Sequence, residues 1–298
     1  MAASDTPTDA RPRAGFRRVL VALDSSAASD ATLEIAASLA AGSACELCGL
    51  FVEDQDLLRL AGLPFAREIQ LSKAMSRTLA PEQLLQDLRA QAGLARTAMA
   101  RQAALHRVSW SLQVAQGRSE EAILLAATAG DIIAMARGFG PLASVARLSQ
   151  RVRLIAARAP GPLLLAGEPP AGRPGPVLLP YDASPAGEAM LGIAVDLARA
   201  RGEALEIMLL GDAAERGAEV EARLRSAADE RHLPALRFWA PRDAATALRR
   251  LVEADGGLLV LPADAPWFTP GRIEQIIERA RPPIVLQTES TEGRAGSH

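Results

Sequence analysis

The sequence predicts an α/β chain built as two tandem copies of a five-stranded, parallel, doubly wound sandwich. Short runs that are apolar on both faces alternate with longer segments of helical period, the pattern of a parallel sheet covered on both sides. The chain also repeats itself: "VLVALDSSAASDATLEIAASLA" from Val19 returns as "VLLPYDASPAGEAMLGIAVDLA" from Val177, with about half the positions identical. Two further pairs follow in the same order, "GDIIAM" at Gly130 with "GGLLVL" at Gly256, and "RAPGPLLL" at Arg158 with "RARPPIVL" at Arg279. A chain of 298 residues, 49% of them hydrophobic, can fill two cores of ordinary size. With only 3% aromatics, those cores fall to Ala, Leu, Val and Ile.

The elements follow in order. Val19 to Leu23 reads as the first strand, apolar on both faces, and a helix begins after Ser26 and carries Leu33, Ile35, Ala36 and Leu39. Ser25, Ser26 and, in the second copy, Ser184 are suited to cap helices. A strand from Glu46 to Val52 is followed by a long helix from about Pro81, a residue favoured in a first helical turn, to about Leu105. Then come a strand Trp110 to Ala115, a helix Glu120 to Thr128, a strand Asp131 to Met135, a helix over Ser144 to Arg158 and a strand Leu163 to Leu165. The second copy places strands near Val177, Leu205, Leu236, Leu258 and Ile284.

The organisation that results is a polar, disordered tail over 1–15, a first domain over 16–166, a Pro/Gly-rich linker over 167–175, a second domain over 176–289 and a tail over 290–298. Residues 53–80 exceed any minimal version of the fold. Leu57, Leu58, Leu60, Leu63 and Phe65 predict a short amphipathic helix there, followed by an irregular stretch. An insertion of that length serves as a lid, a binding loop or an interface, or packs on its own sheet.

Composition excludes several classes of function. A formal net charge of −2 gives no general attraction to nucleic acid or an anionic membrane. The N-terminal residues lack the apolar centre of a signal peptide, and no apolar run reaches the roughly 18 residues of a spanning helix, so a cytoplasmic protein is expected. Cys45 and Cys48 form "CELC". They fall on a strand, where residues three apart face opposite ways, so two packed, reduced cysteines are expected rather than a redox pair. His106, His232 and His298 are too scattered for a metal site. No Ser/His/Asp set is brought together by the fold, so the expected protein is non-catalytic.

In a doubly wound sheet, ligands bind beyond the C-terminal ends of the strands where the strand order reverses. Asp24, after the first strand, and the loop "GFGPLASVARLSQR" from Gly138, after the fourth, both reach that crevice. The loop either holds a phosphate or merely turns the chain.

"RRVLVALDSSAASDATLEIAASLA", "VAQGRSEEAILLAATAGDIIAMA" and "RLIAARAPGPLLLAG" together resemble the universal stress protein family. The resemblance spans nearly all of the first copy, and the second copy shares its first strand and helix, its fourth strand and its last strand. It implies two domains of the adenine-nucleotide α-hydrolase-like fold. In nucleotide-binding members an Asp follows the first strand, and a loop of the form Gly-x-x-Gly, nine residues, then Gly-Ser or Gly-Thr wraps the phosphates. Glycines let backbone N–H groups approach phosphate oxygens, and a helix N-terminus adds a favourable dipole.

The first copy matches that pattern in part. Asp24 occupies the Asp position, whereas Ser149 and Gln150 stand where the final Gly-Ser should be, and Ala136 and Phe139 replace the earlier glycines with Gly138 and Gly140 only nearby. Arg137, Arg147, Arg151 and Arg153 are cations that could hold phosphate through side chains, or form a solvated helix face. Val52 and Gly117, near the ends of the second and third strands, complete the candidate set. In the second copy Asp182 keeps its place, but "LPADAPWFTPGRIEQ" retains only Gly271 and brings prolines, which lack N–H donors, together with Trp267 and Phe268, expected to serve in packing.

These readings lead to a stress-response protein without a required cofactor, acting through a modified crevice that binds a partner or small ligand. The alternative is an ATP- or AMP-binding, slowly hydrolysing switch confined to the first domain. The two copies are expected to pack on each other within one chain, since related single-domain members commonly dimerise. A homodimer of the whole chain and an unidentified protein partner are left open.

Overall fold

The computed structural model describes residues 16–24, 26–54, 59, 67–70, 75–78, 81–137, 145–167, 174–229 and 235–287. The expected tails, most of the linker, Ser25, the apolar residues Leu57, Leu58, Leu60, Leu63 and Phe65, Gly138, Gly140, His232 and His298 lie outside these residues.

The first half runs β1 (Arg18–Leu23), α1 (Ala27–Ser43), β2 (Glu46–Asp54), the short pair β3 (Arg67–Gln70) and β4 (Met75–Thr78), then α2 (Pro81–His106), β5 (Trp110–Gly117), α3 (Ser119–Ala126), β6 (Asp131–Ala136), α4 (Val145–Arg158) and β7 (Leu163–Ala166). The second half runs β8 (Val177–Tyr181), α5 (Pro185–Arg201), β9 (Leu205–Leu209), α6 (Asp212–Glu215), α7 (Gly217–Asp229), β10 (Leu236–Trp239), α8 (Ala244–Glu253), β11 (Leu258–Pro262), α9 (Pro270–Arg279) and β12 (Ile284–Gln287). Local chemistry sets these boundaries. The Ser26 side chain accepts from the Ser29 N–H to start α1, and Ser184 accepts from Gly187 N–H to start α5. Gly202 in the left-handed region ends α5.

All strands but β3 and β4 join one sheet in the order β10-β9-β8-β11-β12-β7-β6-β1-β2-β5. Each half is a parallel five-stranded sheet in which strand order reverses beside its first strand, as expected of a doubly wound sandwich. One apolar layer joins α1, α2, α5 and α7 to one face of the sheet, and a second joins α3, α4, α8 and α9 to the other. Both layers run unbroken through the two halves.

Where an irregular stretch was expected after the apolar part of the insertion, β3 and β4 form an antiparallel ribbon, with Arg67 opposite Thr78 and Gln70 opposite Met75. Four-residue strands of mainly polar residues lack the alternation by which a strand is recognised, so the sequence concealed them.

The two halves meet about a pseudo-twofold axis. β7 and β12 pair antiparallel, with Leu164 opposite Val285 at the centre. These two residues hold equivalent positions in the repeat, as a twofold contact requires. The same holds for α1 against α5: a Cβ added to Gly42 would lie 1.9 Å from the carbonyl oxygen of Ala200, its own counterpart. The third such pair is Arg153 and Glu274, from α4 and α9, whose Nη2 and Oε1 are 3.0 Å apart.

Candidate functional site

The crevice forms because neighbouring strands part. Pairing of β1 with β6 stops at Val21 and Ala134, although both strands continue, to Leu23 and Ala136. Asp24 and Arg137 therefore stand at the same level on either side of the opening. Val52, on β2, lies beside Asp24, since Leu23 is in register with Phe51. Its side chain is buried in the layer below α3 and α4. Gly117 ends β5 at the sheet margin with φ +143°, a backbone that favours glycine, and open space surrounds the place of a Cβ.

Asp24 is tied into the start of α1. Its Oδ1 accepts from Ser26 N–H at 2.9 Å, Ser26 Oγ at 2.5 Å and Ser29 Oγ at 2.6 Å. Asp182 is tied less fully, to Ser184 N–H at 3.1 Å and Ser184 Oγ at 2.6 Å, because Gly187 replaces Ser29.

The described part of the candidate phosphate segment, from Val145 on, is helical. Arg147, Ser149, Gln150 and Arg151 all fall within α4, which begins at Val145. Only the first four N–H groups of a helix lack an internal partner. The N–H groups of Ser149 and Gln150 lie beyond them and serve the helix, whereas the counterpart Gly271 is the second residue of α9.

Two of the four nearby arginines reach the second half instead of the crevice. Arg137 donates through Nη1 to the carbonyl of Ala280 and through Nη2 to that of Pro282 at 2.5 Å, and burial pushes its guanidinium down to about 10. Arg153 pairs with Glu274. Nothing in the sequence marked the Arg137 bonds, because their acceptors are backbone carbonyls more than a hundred residues away.

On the sheet face covered by α1 and α2, a cavity of about 320 Å3 opens at the end of β1, lined by Leu23, Asp24, Asp30, Leu33 and residues of α2 that include Gln91 and Arg101. The second half fills the corresponding place. Tyr181, equivalent to Leu23, is fully buried and donates to Glu188, and Arg223 of α7 donates to both the phenol oxygen and Glu188 Oε1, the latter at 2.7 Å. Burial, and next the hydrogen bond to Glu188, push the Tyr181 phenol up to about 12. Tyr181 is the chain's sole tyrosine. Absorbance of the folded protein in the tyrosinate band is therefore expected to titrate near 12, against about 10 for a free phenol. Stability is expected to fall as pH rises from 10 towards 12, since the unfolded chain releases this proton first. A midpoint near 10 with the fold intact would show that the plug is open.

Elsewhere at the same end, Phe268 is buried, packs edge-on against Trp267 at 4.9 Å between centroids, and Arg272 lies over the Trp267 ring. Both aromatics thus serve in packing. Cys45 and Cys48 are free thiols, and burial raises Cys45 to about 11. That leaves it protonated and unsuited to thiolate chemistry. Among the described residues no cluster of His, Cys, Asp and Glu is arranged to hold a metal, and no helix is long and apolar enough to cross a membrane.

The strand order and the parted strand ends define a doubly wound α/β protein, with a cavity beside the end of β1 in its first half whose counterpart in the second is filled by Tyr181 and Arg223. The model of the universal stress protein family matches residues 15–164, half of the chain, and the protein belongs to that family. Among solved structures, a universal stress protein from Archaeoglobus fulgidus is similar over 92% of this chain and 98% of its own, with a TM-score of 0.64 at 14% identity. A functionally unknown protein from Pseudomonas aeruginosa matches 91% of this chain and 92% of its own, with a TM-score of 0.51 at 14% identity. The cytoplasmic domain of a prokaryotic cation chloride cotransporter gives a TM-score of 0.51 at 14% identity over 91% of this chain and 95% of its own. At these identities the likeness is one of fold. Among curated proteins none matches the sequence.

Proposed function

We propose that this stress-response protein is non-catalytic and cytoplasmic, that its working site is the modified crevice of the first half, and that the second half is a fixed support. Its ligand is a small molecule or a partner, and no nucleotide is required. The observation that carries this reading is the extension of α4 back to Val145, which commits the amides of Ser149 and Gln150 to the helix. The engagement of Arg137 with Ala280 and Pro282 supports it, because this cation is already used. The free cysteines suit a reducing compartment.

Isothermal titration of the full chain with ATP and with AMP, magnesium present, tests the proposal. No saturable heat is expected at millimolar nucleotide. Saturation near one nucleotide per chain would overturn the proposal and assign a nucleotide-binding switch to the first half.

A further inference from the structure

We propose that the first half binds a small zwitterion in the cavity between α1 and α2, with a guanidinium or ammonium end at Asp30 and an anionic end at Arg101. The inference rests on the reading that the first half carries the working site, and it names the ligand class.

The second half supplies the argument. α1 and α5 match residue for residue, so Tyr181 stands for Leu23 and Glu188 for Asp30. In the second half a guanidinium, that of Arg223, sits 2.7 Å from Glu188 Oε1 and also meets the Tyr181 hydroxyl. The carboxylate at this position is therefore already the receptor for a guanidinium in one copy of the repeat. In the first half Leu23 supplies no phenol, a cavity of about 320 Å3 remains, and among the described residues no cation is paired with Asp30. That volume falls at the lower end of the range of about 300–1,000 Å3 found for small-ligand sites.

The remaining walls narrow the chemistry. Leu33, Leu94 and Ala98 present an apolar surface for a short carbon chain, and Arg101 places a positive charge on the same lining as Asp30. A simple cation would meet repulsion from Arg101, whereas a ligand with a carboxylate at its other end would not. Free arginine carries the group that Arg223 places in the other half and, at its other end, a carboxylate beside an ammonium.

Calorimetric titration of the full chain with L-arginine is expected to show saturable binding at one per chain. Replacing the guanidinium by a neutral urea, as in L-citrulline, is expected to abolish it. Asp30→Asn should weaken arginine binding by about tenfold or more, the loss of a charge-assisted contact. Leu23→Tyr installs the side chain that the second half already accommodates. It should remove binding while circular dichroism and thermal unfolding show the fold retained. Agmatine, which lacks the carboxylate, should bind more weakly than arginine to the wild type and equally well to Arg101→Ala.

Absence of arginine binding, equal binding of citrulline, or unchanged binding in Leu23→Tyr would overturn the inference. If ATP is silent as well, the reading of the first half as the modified site survives that failure. If ATP instead saturates at one per chain, that reading fails too.

Discussion

Asp131→Ala is expected to lower the unfolding free energy by about 3–5 kcal/mol, the usual cost of removing one partner from a buried ion pair. Asp131 opens β6 and is 1% exposed. Its Oδ1 accepts from Arg18 Nε at 3.1 Å, and its Oδ2 accepts from Arg18 Nη2 at 2.5 Å, Thr128 N–H at 2.8 Å and Thr128 Oγ1 at 3.1 Å. The substitution would strand the Arg18 guanidinium, which keeps only the Ala126 carbonyl at 2.9 Å, and would leave the Thr128 N–H without its acceptor. Urea denaturation reads the effect as a lower midpoint with an unchanged slope. The network lies at the N-terminal ends of β1 and β6, opposite the crevice, so ligand binding by the folded variant should be unaltered. A loss below about 1 kcal/mol would show that the corner is wet and that the pair behaves as a surface one.

Gly42→Leu is expected to be the most damaging single change at the junction of the halves. Even a Cβ at this position would lie 1.9 Å from the Ala200 oxygen, 2.5 Å from its carbonyl carbon and 2.8 Å from its Cα, all backbone atoms with no rotamer to yield. A leucine must push α1 and α5 apart and so open the apolar layer that they share. Overpacking of this kind costs about 1–3 kcal/mol where neighbours can shift, and more against rigid backbone. Thermal unfolding should move to lower temperature, and limited proteolysis should gain cleavage in the segment between the halves. Unchanged values of both would mean that the helices are not in backbone contact.

The sequence made the repeat plain, and with it most strands, the long helix after Pro81 and the caps at Ser26 and Ser184, because each rests on local chemistry: apolar runs, a fixed φ, a hydroxyl beside orphan amides. The candidate site was harder to read. Glycine spacing singled out Ser149 and Gln150 as a departure, but not that the helix would wind back past them, since "SVARLSQR" suits a helix and a loop alike. Arg137 looked like a free cation because its acceptors are carbonyls, which every residue possesses. The cavity beside Asp30 depended on the exchange of Leu23 for Tyr181, which the repeat displays, and on Arg223, which lies where the two copies have diverged too far to align. Asp131 illustrates the same limit: its counterpart Gly257, at φ +81°, serves the second half by close backbone approach to Pro176 instead of an ion pair.

The pseudo-twofold axis has one further consequence. In a homodimer every residue on the axis meets itself, so neither charge nor size can be complementary there. A covalent duplication lifts that rule. Here glycine faces alanine, leucine faces valine, and arginine faces glutamate, pairings that two identical subunits could not make: two first halves would set Arg153 against Arg153, and two second halves Glu274 against Glu274. Joined in one polypeptide, each half has become the other's dedicated counterpart, and released from the need to be alike, one could specialise as scaffold while its twin kept an open pocket.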